Sequence, residues 1–190
     1  MATLYISTTT LKRDTPLGSA VDDNILHPQI VLAQDRYILP VLGTQLDDEL
    51  KNLIQSNGIS NPGKADYKTM LDEYLVPCLV QFAFIEVAYA LRLRFSNNTI
   101  TMPDSEQGNN ADIADLKMLL DRVESMAMFY RQRLIDHLSY NNEKFPEYSK
   151  ATEDDLRATQ RNYFQNLNVY DRRTIDNQTQ AFLSAINYKP

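Results

Sequence analysis

The residues best suited to chemistry are two histidines, one cysteine and one carboxylate in an apolar stretch. His27 and His137 lie far apart, and neither has a second potential ligand at the i,i+4 or H-E-x-x-H spacing of a zinc site. His137 continues the spacing of a long predicted helix, so we expect it to pack near the end of that helix. His27 is expected at the entry of an earlier helix. The sequence therefore predicts no metal site.

Glu86 is the one charged residue inside the most apolar stretch of the sequence, residues 75–91. A buried carboxylate can be tuned into a general acid or base. Arginines are also available, however, with Arg92 and Arg94 on the same helix and Arg131 and Arg133 on a later one. We therefore favour a structural ion pair for Glu86 over a catalytic role.

Cys78 is the only cysteine, which excludes an internal disulfide and a multi-cysteine metal site. Its apolar neighbours predict a buried thiol, which fits a reducing compartment. The chain has five glycines and lacks the glycine-rich phosphate, dinucleotide and nucleophile-elbow motifs. We therefore predict no enzyme, no catalytic residue and no cofactor. An enzyme that uses Glu86 or His137 as its base is the remaining alternative.

The composition is that of a folded, acidic chain. Of 190 residues, 43% are hydrophobic and 23% are charged, and the formal net charge is -6. A protein that coats nucleic acid needs a basic face, so that class is not favoured. The N-terminus lacks the basic start and continuous apolar block of a signal peptide. Residues 75–91 are too short and too polar to cross a bilayer, so we interpret them as a core helix and predict no membrane association.

Periodicity predicts an all-α fold, namely a helical bundle built around a long antiparallel helical hairpin. The clearest pattern covers residues 112–140, where apolar residues recur every three or four positions without Gly or Pro. We expect this helix to pack against the helix at 77–95 and to leave its other face free for neighbouring molecules. Earlier helices are expected at 28–38, 44–56 and 65–75, and the polar residues 96–110 predict an exposed loop.

The two ends of the chain differ in composition from this helical domain, which we place at residues 21–149. Residues 1–20 are rich in Ser and Thr, so we expect an extended N-terminal arm or a short strand. Residues 150–190 have no lasting apolar stripe, and we interpret them as a C-terminal extension that docks on partner subunits. Its aromatic and basic residues are types enriched at interface hot spots: Arg157, Arg161, Tyr163, Phe164, Tyr170, Arg172 and Arg173.

A resemblance to a known family rests on residues 34–43, which read Q-D-R-Y-I-L-P-V-L-G. This segment resembles the Q-D-x-x-I-x-P-x-L-G opening of head-to-tail connector proteins of tailed bacteriophages, especially those of crAss-like phages. The similarity covers residues 20–148 and includes the close at Phe145-Pro146-Glu147-Tyr148. Asp47 departs from the pattern, since an aromatic residue is expected there.

The resemblance implies a structural virion protein, also called an adaptor or head-completion protein. Such a protein forms a twelvefold ring beneath the portal, extends the channel through which DNA is ejected, and joins capsid to tail. Implied partners are further copies of this chain, the portal protein, and tail or further neck ring proteins, with DNA passing through the channel. The implied location is the neck of the virion, after synthesis in the cytoplasm of the host bacterium.

A second class of function is consistent with the same sequence. The long amphipathic helix could serve a small helical protein–protein adaptor or an assembly chaperone that is not retained in the virion. Mass spectrometry of purified particles separates these two classes.

Overall fold

The computed structural model describes residues 3–92, 94–96, 99–101, 113–149 and 155–159. These residues belong to one compact unit, residues 1–160. Its helices are α1 (Thr8–Asp14), α2 (Asp23–Ala33), α3 (Leu39–Leu42), α4 (Thr44–Gln55), α5 (Ala65–Met70), α6 (Val76–Arg92), α7 (Ile113–Tyr140) and α8 (Pro146–Ser149). Two π turns, Gln34–Ile38 and Leu71–Leu75, join α2 to α3 and α5 to α6, and short 3-10 turns lie at Gly58–Ser60, Pro62–Lys64 and Asn142–Lys144.

The all-α prediction is confirmed, because helices form the core. The long helix predicted over 112–140 is α7, which begins at Ile113 and ends at Tyr140. One face of α7 packs against α6 and buries the apolar residues that recur at helical spacing: Leu120, Val123, Ala127, Leu134 and Leu138. The connection between α6 and α7 lies largely outside the described residues, so the hairpin arrangement stays a prediction.

The prediction of an exposed loop over 96–110 is wrong at its start. Strands β1 (Arg94–Ser96) and β2 (Thr99–Thr101) pair antiparallel, with Phe95 opposite Ile100. Alternating Thr and Ile residues suit a strand. Residues 102–110 lie outside the described residues.

The prediction of an extended N-terminal arm is also wrong for residues 8–14, which form α1. Ser7 caps α1 by accepting a hydrogen bond from the Thr10 backbone N–H at 3.1 Å, and Leu11 is fully buried. Before the helix, the backbone N–H of Tyr5 donates to the side-chain oxygen of Gln34, while the Gln34 amide nitrogen donates to the carbonyl of Thr3. The buried Gln34 side chain therefore holds this segment against the body by hydrogen bonds to the backbone.

Tyr5 also contacts Asp47, the position at which the resemblance leads us to expect an aromatic residue. The Tyr5 hydroxyl donates to Asp47 Oδ1 at 2.6 Å, and Lys51 Nζ lies 2.5 Å from Asp47 Oδ2. Tyr5 and Asp47 are both buried. The N-terminal segment thus supplies an aromatic ring, and Asp47 provides the acceptor for its hydroxyl. Burial and the adjacent carboxylate raise the pKa of Tyr5 far above its ordinary value.

Each π turn is followed by a proline near the start of the next helix, Pro40 in α3 and Pro77 in α6. A proline ring clashes with the carbonyl four residues earlier and cannot donate to it. A wider turn relieves this clash, and in both turns a backbone N–H reaches back five residues, from Leu39 to Gln34 and from Val76 to Leu71. The helix predicted at 28–38 thus ends at Ala33, where the π turn begins. It also begins earlier than predicted, at Asp23.

Helix α6 was predicted as a core helix, and burial of its residues confirms this. The stretch Pro62–Arg92 is long and apolar enough by composition alone to cross a membrane, but 56% of its most apolar window is buried inside the protein. Leu79, Phe82, Ala83 and Val87 are among the buried residues. Packing inside the helical body accounts for this apolar composition.

Residues 155–159 contact the body of the protein at α3 and α4. The backbone N–H of Thr44 donates to the Leu156 carbonyl, and the N–H of Thr159 donates to the Pro40 carbonyl. Between these bonds, Ala158 packs against Gly43, whose φ of 74° suits a residue without Cβ. The start of the predicted C-terminal extension is therefore part of the body.

Substitution of Gly43 by Ala is expected to detach residues 155–159 from the body. A Cβ at Gly43 would lie 2.7 Å from the Ala158 backbone nitrogen, and the backbone there would be strained for any L side chain. We expect the free energy of unfolding in urea to fall by about 1–3 kcal/mol. Trypsin should also cleave more rapidly after the exposed Arg157.

Gly18→Ala is the matched control, because no atom lies within 4 Å of the added Cβ. Its unfolding free energy should stay within about 0.5 kcal/mol of the parent. Equal cleavage rates at Arg157 in the two variants would contradict the packing of Ala158 on Gly43.

Candidate partner-binding surfaces

A cleft lies beside the buried carboxylate of Glu86. Glu86 Oε1 accepts hydrogen bonds from Tyr37 Oη at 2.8 Å and from Arg36 Nη1 at 3.1 Å. The π turn at Gln34–Ile38 carries both donors. The structural ion pair predicted for Glu86 is thus present, with Arg36 as its partner.

Aromatic rings form the walls of this cleft. The rings of Tyr37 and Phe82 stack with centroids 4.1 Å apart, and the side chain of Tyr89 is 56% exposed. Glu124 of α7 adds a second carboxylate to the lining. The cleft has a volume of about 230 Å³.

The charge of the cleft decides which kind of group it can hold. Two carboxylates face one guanidinium, and both hydrogen bonds that Glu86 receives within the described residues end on Oε1. A carboxylate has lone pairs for about four hydrogen bonds, so Glu86 can accept a further donor. Exposed aromatic faces also attract cations. The cleft therefore suits a positively charged side chain of a partner better than an anion.

Tyr37 is held in its protonated form by this environment. Burial, followed by the hydrogen bond to Glu86 and the charge of Glu86, raises the pKa of Tyr37 to about 12. The hydroxyl is thus a hydrogen-bond donor throughout the neutral range. It fixes Glu86 and does not take part in proton exchange near neutral pH.

A second surface lies on α7, away from its buried stripe. Met118, Leu119, Met126 and Phe129 are all exposed, with Met118 at 70% and Phe129 at 64%. Arg122 lies between them on the same face, because positions 118, 122, 126 and 129 follow helical spacing. Met, aromatic residues and Arg are enriched in protein interfaces, and exposed apolar patches often mark them.

The predicted partner-binding residues of the C-terminal extension fall mostly outside the described residues. Arg157 is exposed on the segment that docks at Gly43. Its role as a partner contact stays a prediction. The other six residues are not described: Arg161, Tyr163, Phe164, Tyr170, Arg172 and Arg173.

His137 and Cys78 occupy packing positions. The His137 imidazole stacks on Tyr74 with ring centroids 3.9 Å apart, which confirms its predicted packing role. Burial, with Lys144 and Arg133 nearby, lowers the pKa of His137. Cys78 is buried as predicted, and burial raises the pKa of its thiol to about 12. Within the described ranges, no three His, Cys, Asp or Glu side chains group to hold a metal ion.

The sequence predicted a free outer face on α7 without naming its residues, and it did not predict the cleft at Glu86. Arg36 and Glu86 are far apart in the chain, so spacing gives no signal for their contact. The α7 surface carried a signal, because Met118, Met126 and Phe129 repeat at intervals of eight and three outside the buried stripe.

These features define an all-α protein with an acidic aromatic cleft and an exposed apolar helix face. The chain belongs to a family of unknown function (DUF6712), whose family model matches residues 38–158. Neither a curated protein nor a solved structure matches the chain. The family match ends at Ala158, the residue that packs on Gly43, so it includes the returning segment.

Substitution of Glu86 by Gln is expected to lower the free energy of unfolding by about 1–2 kcal/mol. The effect is limited because the Arg36 side chain is 62% exposed and can be hydrated when the carboxylate is lost. The pKa of Tyr37 should also fall, since both the charge and the hydrogen bond of Glu86 raise it. Urea unfolding and NMR titration of the tyrosine rings measure the two effects.

Glu124→Gln is the control for that variant, because Glu124 is exposed at the rim of the cleft. Its unfolding free energy should change by less than about 0.5 kcal/mol. Equal destabilisation by the two substitutions would contradict the structural role of Glu86.

The thiol of Cys78 is expected to resist labelling in the native chain. It is buried, and the thiolate is the reactive form, so a raised pKa leaves little of it at neutral pH. A maleimide dye should react with native protein only through unfolding, and rapidly once urea exposes the thiol. Rapid labelling without urea would contradict the described packing of α6.

Proposed function

We propose that this chain is a head-to-tail connector subunit of a tailed bacteriophage. In this function, copies of the chain form a ring beneath the portal, extend the DNA channel and join the capsid to the tail. The chain acts as a structural virion protein in the neck. Its partners are further copies of itself, the portal protein and the neighbouring neck or tail proteins.

This proposal rests on the contacts that residues 34–43 make, since this segment resembles the connector proteins. Gln34 binds the N-terminal segment, Arg36 and Tyr37 bind Glu86, Pro40 accepts from Thr159, and Gly43 packs on Ala158. The residues on which the resemblance rests are thus the residues that join the parts of the body. A resemblance concentrated at such a junction supports a fold shared with the connector proteins.

Two further observations support an assembly role. The cleft at Glu86 and the α7 surface are separate exposed features, and a ring subunit needs two different contact faces. The formal charge of -6 suits a channel through which DNA slides, because an acidic wall does not retain phosphates.

The proposal is tested with the purified full chain and with portal rings. We expect multi-copy assemblies by native mass spectrometry, or binding to portal rings that is visible by electron microscopy. We also expect the chain among the proteins of purified phage particles, in a copy number that matches the neck.

A chain that stays monomeric and fails to bind portal rings would refute the connector function. A chain that is absent from purified particles but binds a virion protein would instead support the adaptor or chaperone class.

A further inference from the structure

We infer that the α7 surface of one copy docks into the Glu86 cleft of the next copy. This inference rests on the proposed ring assembly and names the two faces that meet in it. One face is convex and carries Met118, Arg122, Met126 and Phe129. The other is the concave cleft that Glu86, Tyr89 and Glu124 line.

The two faces are complementary in charge. Arg122 is exposed in the middle of the apolar α7 surface. The cleft offers Glu124 at its rim and the Glu86 carboxylate in its wall, while Arg36 offsets only one of these two charges. A guanidinium that enters the cleft can therefore pair with a carboxylate and stack on the exposed Tyr89 ring.

The apolar side chains of the α7 surface can contact one exposed ring of the cleft. Phe129 and Met118 are both more than half exposed on α7. Of the apolar residues that line the cleft, Tyr89 is 56% exposed, whereas Phe82 and Ile85 are buried. Contact of Phe129 or Met118 with the Tyr89 ring removes apolar surface from water on both copies, which favours association.

The placement of the two faces allows a head-to-tail contact. Glu124 and Phe129 are both on α7, and at 3.6 residues per turn the five-residue step between them turns the helix to a different side, by roughly 140°. A copy that uses its α7 surface on one neighbour thus keeps its cleft free for another. Contacts of this kind generate closed rings or open filaments rather than two-fold dimers.

Engineered disulfides test this contact in the full chain. Ser125 is exposed beside the α7 surface, and Leu32 is exposed one helical turn before Arg36 at the cleft. Neither Ser125→Cys nor Leu32→Cys alone should give a covalent dimer under mild oxidation, whereas an equal mixture should. The double variant should give a ladder of covalent multimers above the dimer on a non-reducing gel.

Ser60→Cys replaces Leu32→Cys in the control, because Ser60 is an exposed serine outside both faces. Its mixture with Ser125→Cys should give no covalent dimer. Covalent dimers from Ser125→Cys alone would overturn the inference in favour of two α7 surfaces meeting each other. The absence of covalent products from the mixture would overturn it in any case.

Charge exchange provides a second test that does not depend on oxidation. Arg122→Glu places like charges at the contact and should weaken self-association by about tenfold or more, and Glu124→Arg should do the same. Mixing the two variants pairs opposite charges at every contact of an alternating assembly and should restore association. Failure of the mixture to recover would count against the contact.

The outcomes separate this inference from the proposed function. Assemblies or portal complexes that form without the disulfide ladder would overturn the docking of α7 in the cleft and leave the connector function standing. A monomeric chain that also fails to bind portal rings would remove both.

Discussion

The widened turn at Gln34–Ile38 is the constraint on which the other contacts depend. Pro40 prevents a regular helical turn, since its ring clashes with the carbonyl of Arg36 and its nitrogen has no proton to donate. The π turn takes up this constraint and changes the directions in which the side chains around it point. Gln34 faces the N-terminal segment, while Arg36 and Tyr37 face Glu86.

A π turn also precedes the second proline, because Leu71–Leu75 lies directly before the helix that contains Pro77. Because Pro77 lacks an N–H, the carbonyl of Glu73 loses its usual helical donor. Arg133 of α7 approaches that carbonyl with Nη1 at 3.5 Å and lies over the ring of Tyr74. The missing hydrogen bond in one helix is thus replaced by a contact from an arginine of another helix. This contact joins α7 to the segment before α6.

Among the described residues, two carboxylates are buried in the body, and each has a partner from a distant part of the chain. Asp47 receives the hydroxyl of Tyr5 and the ammonium group of Lys51, and Glu86 receives Tyr37 and Arg36. A buried charge without such partners is costly, so these residues favour one arrangement of the elements over others. Both carboxylates hold neighbouring elements together, and their tyrosine partners stay protonated near neutral pH.

The sequence predicted those features that repeat locally. The apolar spacing along α7 and the restart of a helix at Pro77 are visible without any knowledge of the fold. Helix α1 was missed because its Ser and Thr residues favour extended chain, and only the burial of Leu11 and the capping by Ser7 make it helical. The pairing of Glu86 with Arg36 and the return of residues 155–159 were missed for another reason. They depend on contacts between distant segments, some of them formed by backbone atoms alone.

The return of residues 155–159 has a consequence for synthesis of the chain. Thr44 and Pro40 are translated early, whereas their backbone partners, Leu156 and Thr159, follow more than a hundred residues later. Tyr5 likewise gains its hydrogen-bond partners only after Gln34 and Asp47 have been translated. The backbone hydrogen bonds of α3 and α4 to this segment can therefore form only after residue 159 has been translated. A nascent chain that stops short of residue 156 therefore lacks the segment that covers Gly43, and only a chain translated past it can complete the body.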